Sequence, residues 1–410
     1  MSRLLYICDW LPPDFGAVGQ YSLGFARQRA AAGDDVVLAG LSSTADSIEV
    51  EDLGDHSAPH PSPLTPHPSP LPPHPSFPGR LTILRFKADL YDRSNLRQRA
   101  WWTAKLNLRL LWRLRKHLWR ADEVVFTGSP PFLLHFLAPL NLVLRKRLVY
   151  RITDFHPECM MAGMHGVPWT LAAFHRLTVA WRRTIGRFEV LGEDQRRRLL
   201  EIGIRADRIE LKRDPSPVAI PPGTMPLQRP GELADYAVLL YSGNFGMAHD
   251  HETFVEGYRL HHRNGTGRTA LWLNAVGAKA DLVERLLRES RLPVHRGRPV
   301  PLEELDRLLV TPDAHLITLR DPFVGYVMPS KVYGCIESGC DILYVGSTDS
   351  DVHLLCGEQL PPTAYHQVPT RRPELVAAAL EALADRALGA IPGAPSRQSW
   401  LAAAWGKAGE

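Results

Sequence analysis

Residues 321–346 read DPFVGYVMPSKVYGCIESGCDILYVG, a loop, a helix and a buried strand in quick succession. Pro329 stops whatever precedes it, Ser330 is a suitable helix N-cap, and 331–338 keeps helical spacing until Gly339 ends it. Ile342, Leu343, Tyr344 and Val345 then form a short apolar run closed by Gly346, the pattern of a parallel strand. A helix starting at Ser330 aims free backbone N–H groups and a positive dipole end at the loop before it, and Lys331 adds a mobile charge. The stretch is therefore expected to hold the phosphates of a nucleotide, although most Ser-capped helices bind nothing.

Working outward, the same grammar repeats. Upstream lie a strand at 237–241, the glycine loop SGNFGMAHD, a helix at 251–263, a strand at 271–276, a helix at 279–288, a short helix at 301–310 and a strand at 315–319. The first half opens with a strand at 3–8, the loop DWLPPDFGAVGQ, a helix at 21–32 and a strand at 36–41. It continues with a strand at 123–126, an apolar helix at 132–144, a strand at 148–152, a helix at 169–183, a strand at 188–192 and a helix from 193. Two consecutive α/β units, each begun by a strand and a glycine loop, predict twin Rossmann-like domains facing a central cleft. The domains span 1–210 and 226–395. The proline-rich 211–225, containing KRDPSPVAIPPGTM, links them, and 375–388 is a surface helix.

Length supports this division, since 410 residues exceed what one core usually fills. Five scattered cysteines without a CxxC pattern fit reduced thiols and argue against a disulfide scaffold or zinc knuckle. A net charge of +4 does not argue for nucleic acid, and no nucleic-acid partner is expected. Neither a signal-peptide pattern nor an apolar run of the ~18 residues needed to span a bilayer is present. A soluble cytoplasmic protein is expected. Residues 56–78 are a near-repeating Pro/His-rich segment, expected to be a disordered surface loop without catalytic function.

Residues 94–120 carry eight Lys or Arg, no acidic residue and four tryptophans, Trp101, Trp102, Trp112 and Trp119. Leu106, Leu110, Leu114 and Leu118 form an i, i+4 stripe, so a basic amphipathic helix packed by its leucines is expected. Its tryptophans suit the headgroup layer of an anionic membrane. Gly16 and Gly19 allow a backbone to approach a ligand or merely permit a tight turn. The loop TDFHPECMMAG follows a strand, where α/β folds place function. Asp154 and His156 there are candidate general bases, with helix capping and packing as the alternatives, and Glu158 is a candidate acceptor contact.

In order, PPDFGAVGQYS, GDDVV, TGSPP and TDFHPE are followed by LLYSGNFGMAHDHETF, RGRPVPLEELDRLL, DAHLITLRD, PSKVYGCIESGCDILYVG and SDVH. Taken together, the chain resembles GT-B glycosyltransferases of family 4, in the WbuB/WcaI-like subgroup that assembles bacterial surface polysaccharides. The resemblance implies retaining transfer of a hexosyl or N-acetylhexosaminyl group from a nucleotide-sugar donor, with no cofactor and no required metal. The acceptor would be a glycan or a polyprenyl-diphosphate-linked sugar at the inner face of the cell membrane. Donor contacts implied are Gly16, Gly19, Asn244, Gly246, Arg296, Gly297, Ser330 and Lys331. In this fold residues 396–410 would be a terminal helix crossing back to the first domain.

The chain departs from the family pattern where paired glutamates are expected. Gly334 stands at the later position and Gly325 or Tyr326 near the earlier one, leaving Glu337 as a substitute ribose contact. The usual Arg and Lys after the second domain's first strand are replaced by Asn244 and His249, and Lys212 and Arg213 are candidates to restore the charge. A nucleotide-sugar epimerase and a non-catalytic sugar-binding protein are the alternative readings.

Overall fold

The computed structural model describes residues 2–14, 17–52, 79–88, 96–128 and 130–389. Gly16, the segment 56–78 and the expected terminal helix 396–410 lie outside the described residues. The chain divides into two compact units, Met1–Pro217 and Val218–Glu410.

The first unit runs β1 (Arg3–Trp10), α1 (Ala17–Ala31), β2 (Asp35–Ser42), β3 (Ser47–Asp52), β4 (Arg80–Lys87), α2 (Leu96–Arg120) and β5 (Glu123–Thr127). It continues with α3 (Leu134–Leu144), β6 (Arg147–Ile152), α4 (Glu158–Ala162), α5 (Trp169–Arg183), β7 (Arg187–Val190), α6 (Glu193–Glu201) and β8 (Ile209–Leu211). The strands form one sheet in the order β3-β4-β2-β1-β5-β6-β7-β8. Its pairs are parallel except β3, which runs antiparallel to β4. Central strands such as β5 are buried along their whole length, which explains the apolar run 124–126 at the centre of β5. The strand β3 was not expected: SIEVED is mostly exposed and acidic, and only its pairing with β4 makes it a strand.

The second unit runs β9 (Ala237–Asn244), α7 (Glu252–Asn264), β10 (Thr269–Val276), α8 (Ala278–Glu289), β11 (Val294–Arg296), α9 (Leu305–Leu309) and β12 (Ala314–Thr318). Then follow α10 (Lys331–Glu337), β13 (Asp341–Val345), α11 (Asp351–Gln359), β14 (Tyr365–Val368) and α12 (Pro373–Leu388). Six parallel strands lie in the order β11-β10-β9-β12-β13-β14. Leu239, Leu271, Leu273, Leu316 and Leu343 from the strands meet Phe254 and Tyr258 of α7 and Val376, Leu380 and Leu383 of α12. Each such fully buried side chain contributes about 1.5–3 kcal/mol, so this one-sided layer carries much of the unit's stability.

Two expectations need correction. The linker does not begin at 211: Leu211 ends β8, and the main chain of Lys212 donates to the Val190 carbonyl at 2.8 Å. Asp214 and Glu189 close on the buried guanidinium of Arg151, so residues to 214 are tied to the first unit by ion pairs. The motif SGN is not loop, because β9 pairs with β10 as far as Asn244 with Val276.

Candidate functional site

In an open parallel sheet, a ligand crevice forms where successive strands turn off in opposite directions. In the second sheet β10 lies on one side of β9 and β12 on the other. The loops leaving β9 and β12 therefore diverge at the carboxyl edge, and the chain's polar groups gather there. Asn244 ends β9 with its side chain exposed. It lies against Gly277, where an added Cβ would come 2.7 Å from Asn244 Oδ1. Gly277 has φ of 105°, a conformation that favours glycine, and it forms the N-cap of the 12-residue α8. The free N–H groups of α8 thus open beside Asn244, and Lys279 stands in the first turn.

The second loop is fastened to the first. The main chain of Arg320 donates to the Ala248 carbonyl at 2.8 Å, and His249 Nδ1 lies 2.7 Å from the Thr318 carbonyl. Arg320 is part-exposed, with its guanidinium 5.7 Å from the Phe323 ring centre. Burial first, then the charge of Lys279 and more weakly that of Arg320, lower the basicity of His251 against the opposing Glu252 and Asp250, so both cations lie near His251. Sequence reasoning missed both. Lys279 lies three residues past the end of β10 and Arg320 two past the end of β12, and nothing in the local sequence marks either. Gly246 is part-exposed in the same loop, and an added Cβ would meet Asn244 Nδ2 at 3.6 Å, an ordinary contact, so the backbone is approachable.

Lys331 sits differently from the expectation. Its Nζ is buried, makes no hydrogen bond within the protein, and rests 3.1 Å from the centre of the Tyr241 ring. Burial pushes its basicity down to about 7, against a smaller opposing effect of Cys335. Tyr241 stacks on Phe245 at 4.1 Å, and His249 stands edge-on to both rings. Burial and the neighbouring Lys331 bring His249 down to about 3, so it is neutral. Lys331 thus props the aromatic floor under the 244–249 loop and is turned away from solvent. Nor does Ser330 cap α10: its backbone is already helical and its side chain makes no capping bond. With seven residues, α10 offers a weaker dipole than α8.

The remaining second-unit candidates have structural partners. Arg296 pairs with Asp281 at 2.9 Å and Glu284 at 3.8 Å on α8. At Gly297 an added Cβ would meet Trp272 Nε1 at 2.6 Å and Asn274 Oδ1 at 3.0 Å, so its glycine is explained by close packing. Glu337 accepts from the main chain of Ile220 at 3.3 Å. Lys212, expected as a replacement charge, is bound to Glu189 at 3.2 Å and lies over the Phe25 ring in the first unit.

In the first unit the strand order reverses between β1 and β5, and the loop after β6 adjoins that point: an added Cβ on Gly128 would lie 3.2 Å from the Asp154 carbonyl oxygen. Asp154 is part-buried, and burial raises its carboxyl to about 6, a value suited to proton exchange near neutrality. His156 Nδ1 lies 2.7 Å from Cys159 Sγ, whose thiol burial pushes up to about 12 and so keeps protonated. Glu158 is not open to an acceptor. It is buried and forked onto the fully buried Arg182, and it takes His175 Nε2 at 3.2 Å. Burial alone would raise its pKa, but His175 and Arg182 bring it down to about 2. Arg182 also donates to the His156 carbonyl at 3.0 Å, so this pair fixes the loop that carries Asp154 and His156. Gly19 has no room for a side chain, since a Cβ would lie 1.8 Å from the Trp10 carbonyl oxygen. It lets α1 pack against the end of β1. Among the described residues no three His, Cys, Asp or Glu side chains converge as a metal site requires.

No family profile and no characterised sequence matches the chain. Solved structures do match over its whole length. WaaG, a glycosyltransferase involved in lipopolysaccharide biosynthesis, is 16% identical with a TM-score of 0.56, covering 99% of this chain and 95% of that one. Anabaena HepE in complex with UDP is 11% identical with a TM-score of 0.54, covering 98% and 94%. The N-terminal domain of Candida albicans trehalose-6-phosphate phosphatase is 11% identical with a TM-score of 0.57, covering 99% and 96%. The chain has the GT-B fold of the glycosyltransferases WaaG and HepE.

Proposed function

We propose that the protein is a retaining, metal-independent glycosyltransferase of family 4. It takes a hexosyl or N-acetylhexosaminyl group from a nucleotide-sugar donor and passes it to a glycan or polyprenyl-diphosphate acceptor in surface-polysaccharide assembly. The observation that carries this reading is the edge of the second sheet. There Asn244, the Gly246 backbone, the start of α8 with Lys279, and Arg320 surround the point where strand order reverses. Two cations and a helix N-terminus match a diphosphate, whose growing negative charge during sugar departure they would neutralise. Ser330, Arg296 and Gly297 border the donor in this reading, Glu337 serves the ribose, and Lys331 acts indirectly by holding Tyr241. The fold shared with HepE, solved with UDP, supports a nucleotide ligand.

On the acceptor side Asp154 is the proposed proton-accepting group, oriented by the Glu158–Arg182 pair, with His156 beside it. The test is a panel of UDP- and GDP-linked sugars incubated with the full chain and polyprenyl lipid extract, followed by release of nucleoside diphosphate. Acceptor-dependent release with one donor, lost in Arg320→Ala, is expected. Isomerised sugar without release would replace this reading with an epimerase, and binding without turnover with a sugar-binding protein.

A further inference from the structure

The helix α2 carries two apolar stripes, and only one faces the core. Leu110, Leu111, Leu114 and Leu118 are buried, with Asn107 donating to the Thr103 and Pro131 carbonyls beneath them. The other stripe is exposed: Trp101 74%, Leu108 58%, Trp112 65% and Trp119 70%. These positions are 7, 4 and 7 apart, so at ~100° per residue they fall within about 40° of one line. The ridge runs for about 27 Å along the helix. Lys105, Arg109, Arg115, Lys116 and Arg120 are exposed on and beside it, and α2 holds no acidic residue. Arg115 lies 4.3 Å over the Trp112 ring and donates to the Trp112 carbonyl. Arg113, on the flank, is taken by Asp46 at 2.8 Å. At the far end Lys146 donates to the Trp119 carbonyl at 2.8 Å, which sets the exposed Leu142 and Val143 of α3 close to the ridge's end.

We propose that this ridge docks the protein on the surface of an anionic lipid bilayer, with the indoles and Leu108 at the acyl–headgroup boundary and the five cations against lipid phosphates. Tryptophan suits that boundary because one molecule offers an apolar ring and a single N–H donor. Positive charge beside the ridge, four of the five cations on one side and Arg115 on the other, selects an anionic surface over a neutral one. Among the described residues no helix is long and apolar enough to cross a membrane, so the contact lies in the interfacial plane. The inference is independent of the sugar-transfer reading, since it rests on α2 alone.

Flotation of the full chain with phosphatidylcholine vesicles containing one-third phosphatidylglycerol tests it, against vesicles of phosphatidylcholine alone. The wild type should float only with the anionic vesicles, and its tryptophan emission should be quenched by brominated acyl chains. Trp112→Ser with Trp119→Ser should keep the thermal midpoint and reduce binding at least ten-fold. Arg109→Gln with Lys116→Gln should reduce it roughly 25-fold at low salt, about five-fold per charge, and this pair serves if the tryptophan variant fails to fold. Equal binding to both vesicle types, unchanged flotation of the variants, or a wild type that stays at the bottom would overturn the proposal. So would a dimer in solution that the tryptophan variant dissociates, since the ridge would then serve a second copy.

Discussion

Replacing Lys331 with Met should stabilise the protein in mild acid. The side chain keeps its length and loses a buried amine that makes no hydrogen bond within the protein. A fall from the ordinary 10.5 to about 7 corresponds to roughly 5 kcal/mol at ~1.36 kcal/mol per pH unit. The contact with the Tyr241 face, 3.1 Å from its centre, favours the charged form and makes that figure an upper bound. That cost, at most about 5 kcal/mol, is borne while the amine is protonated in both states. Because the folded value is the lower one, the unfolded chain binds the extra proton between about pH 7 and 10.5, and wild-type stability rises with pH across that window. Lys331→Met should therefore gain a few kcal/mol, at most about 5, at pH 6, which raises the melting midpoint of a unit this size by at most about 20 °C, and almost nothing at pH 10.5 or above. Thermal unfolding of both proteins at pH 6 and pH 10.5 measures this. A destabilised variant at pH 6, or a difference that ignores pH, would refute the buried-amine account. The same variant should hold UDP affinity within about two-fold, and a ten-fold loss would put Lys331 back among the phosphate ligands.

Arg320→Ala should weaken UDP binding by about ten- to a hundred-fold, the scale of one charge-assisted hydrogen bond, with little change in melting because the side chain is part-exposed; calorimetry reads it. Asp154→Asn should abolish transfer. As the native carboxyl is raised to about 6, the wild type loses stability as pH climbs through that value, so the variant should gain up to about 3 kcal/mol at pH 8 and nothing at pH 3. Glu158→Gln should cost about 3–5 kcal/mol at neutral pH by leaving buried Arg182 unpaired. Native Glu158 titrates near 2, so its contribution is full above about 4.5 and the gap between the two proteins should shrink in urea melts as pH falls below that.

The parallel-sheet architecture was legible because most buried strands are continuous apolar runs and glycines mark their ends. The elements at 36–41, 123–126, 169–183 and 342–345 emerge within a residue or two of expectation. Edge strands were not legible. β3 is acidic and exposed, and β11 and β14 are three and four residues long and owe their strand form to the neighbours they pair with. Residue identity showed where a site lies but not which atoms face it. Lys331 looked like a phosphate ligand from spacing alone, yet its amine is folded back over Tyr241, a strand residue ninety positions away in sequence. Glu158 looked free until Arg182, 24 residues on, proved to hold it. Arg320 and Lys279 went unremarked because nothing local distinguishes them, and strand order alone makes their two loops neighbours.

The central claim is that the reversal point of the second sheet binds a nucleoside diphosphate. Amide hydrogen exchange of the full chain with and without UDP tests it most directly. Slowed exchange should concentrate in 242–251, in the first turn of α8 and in 319–323, and Arg320→Ala should remove it. Protection confined to other segments, or none at UDP concentrations that raise the melting midpoint, would contradict the account.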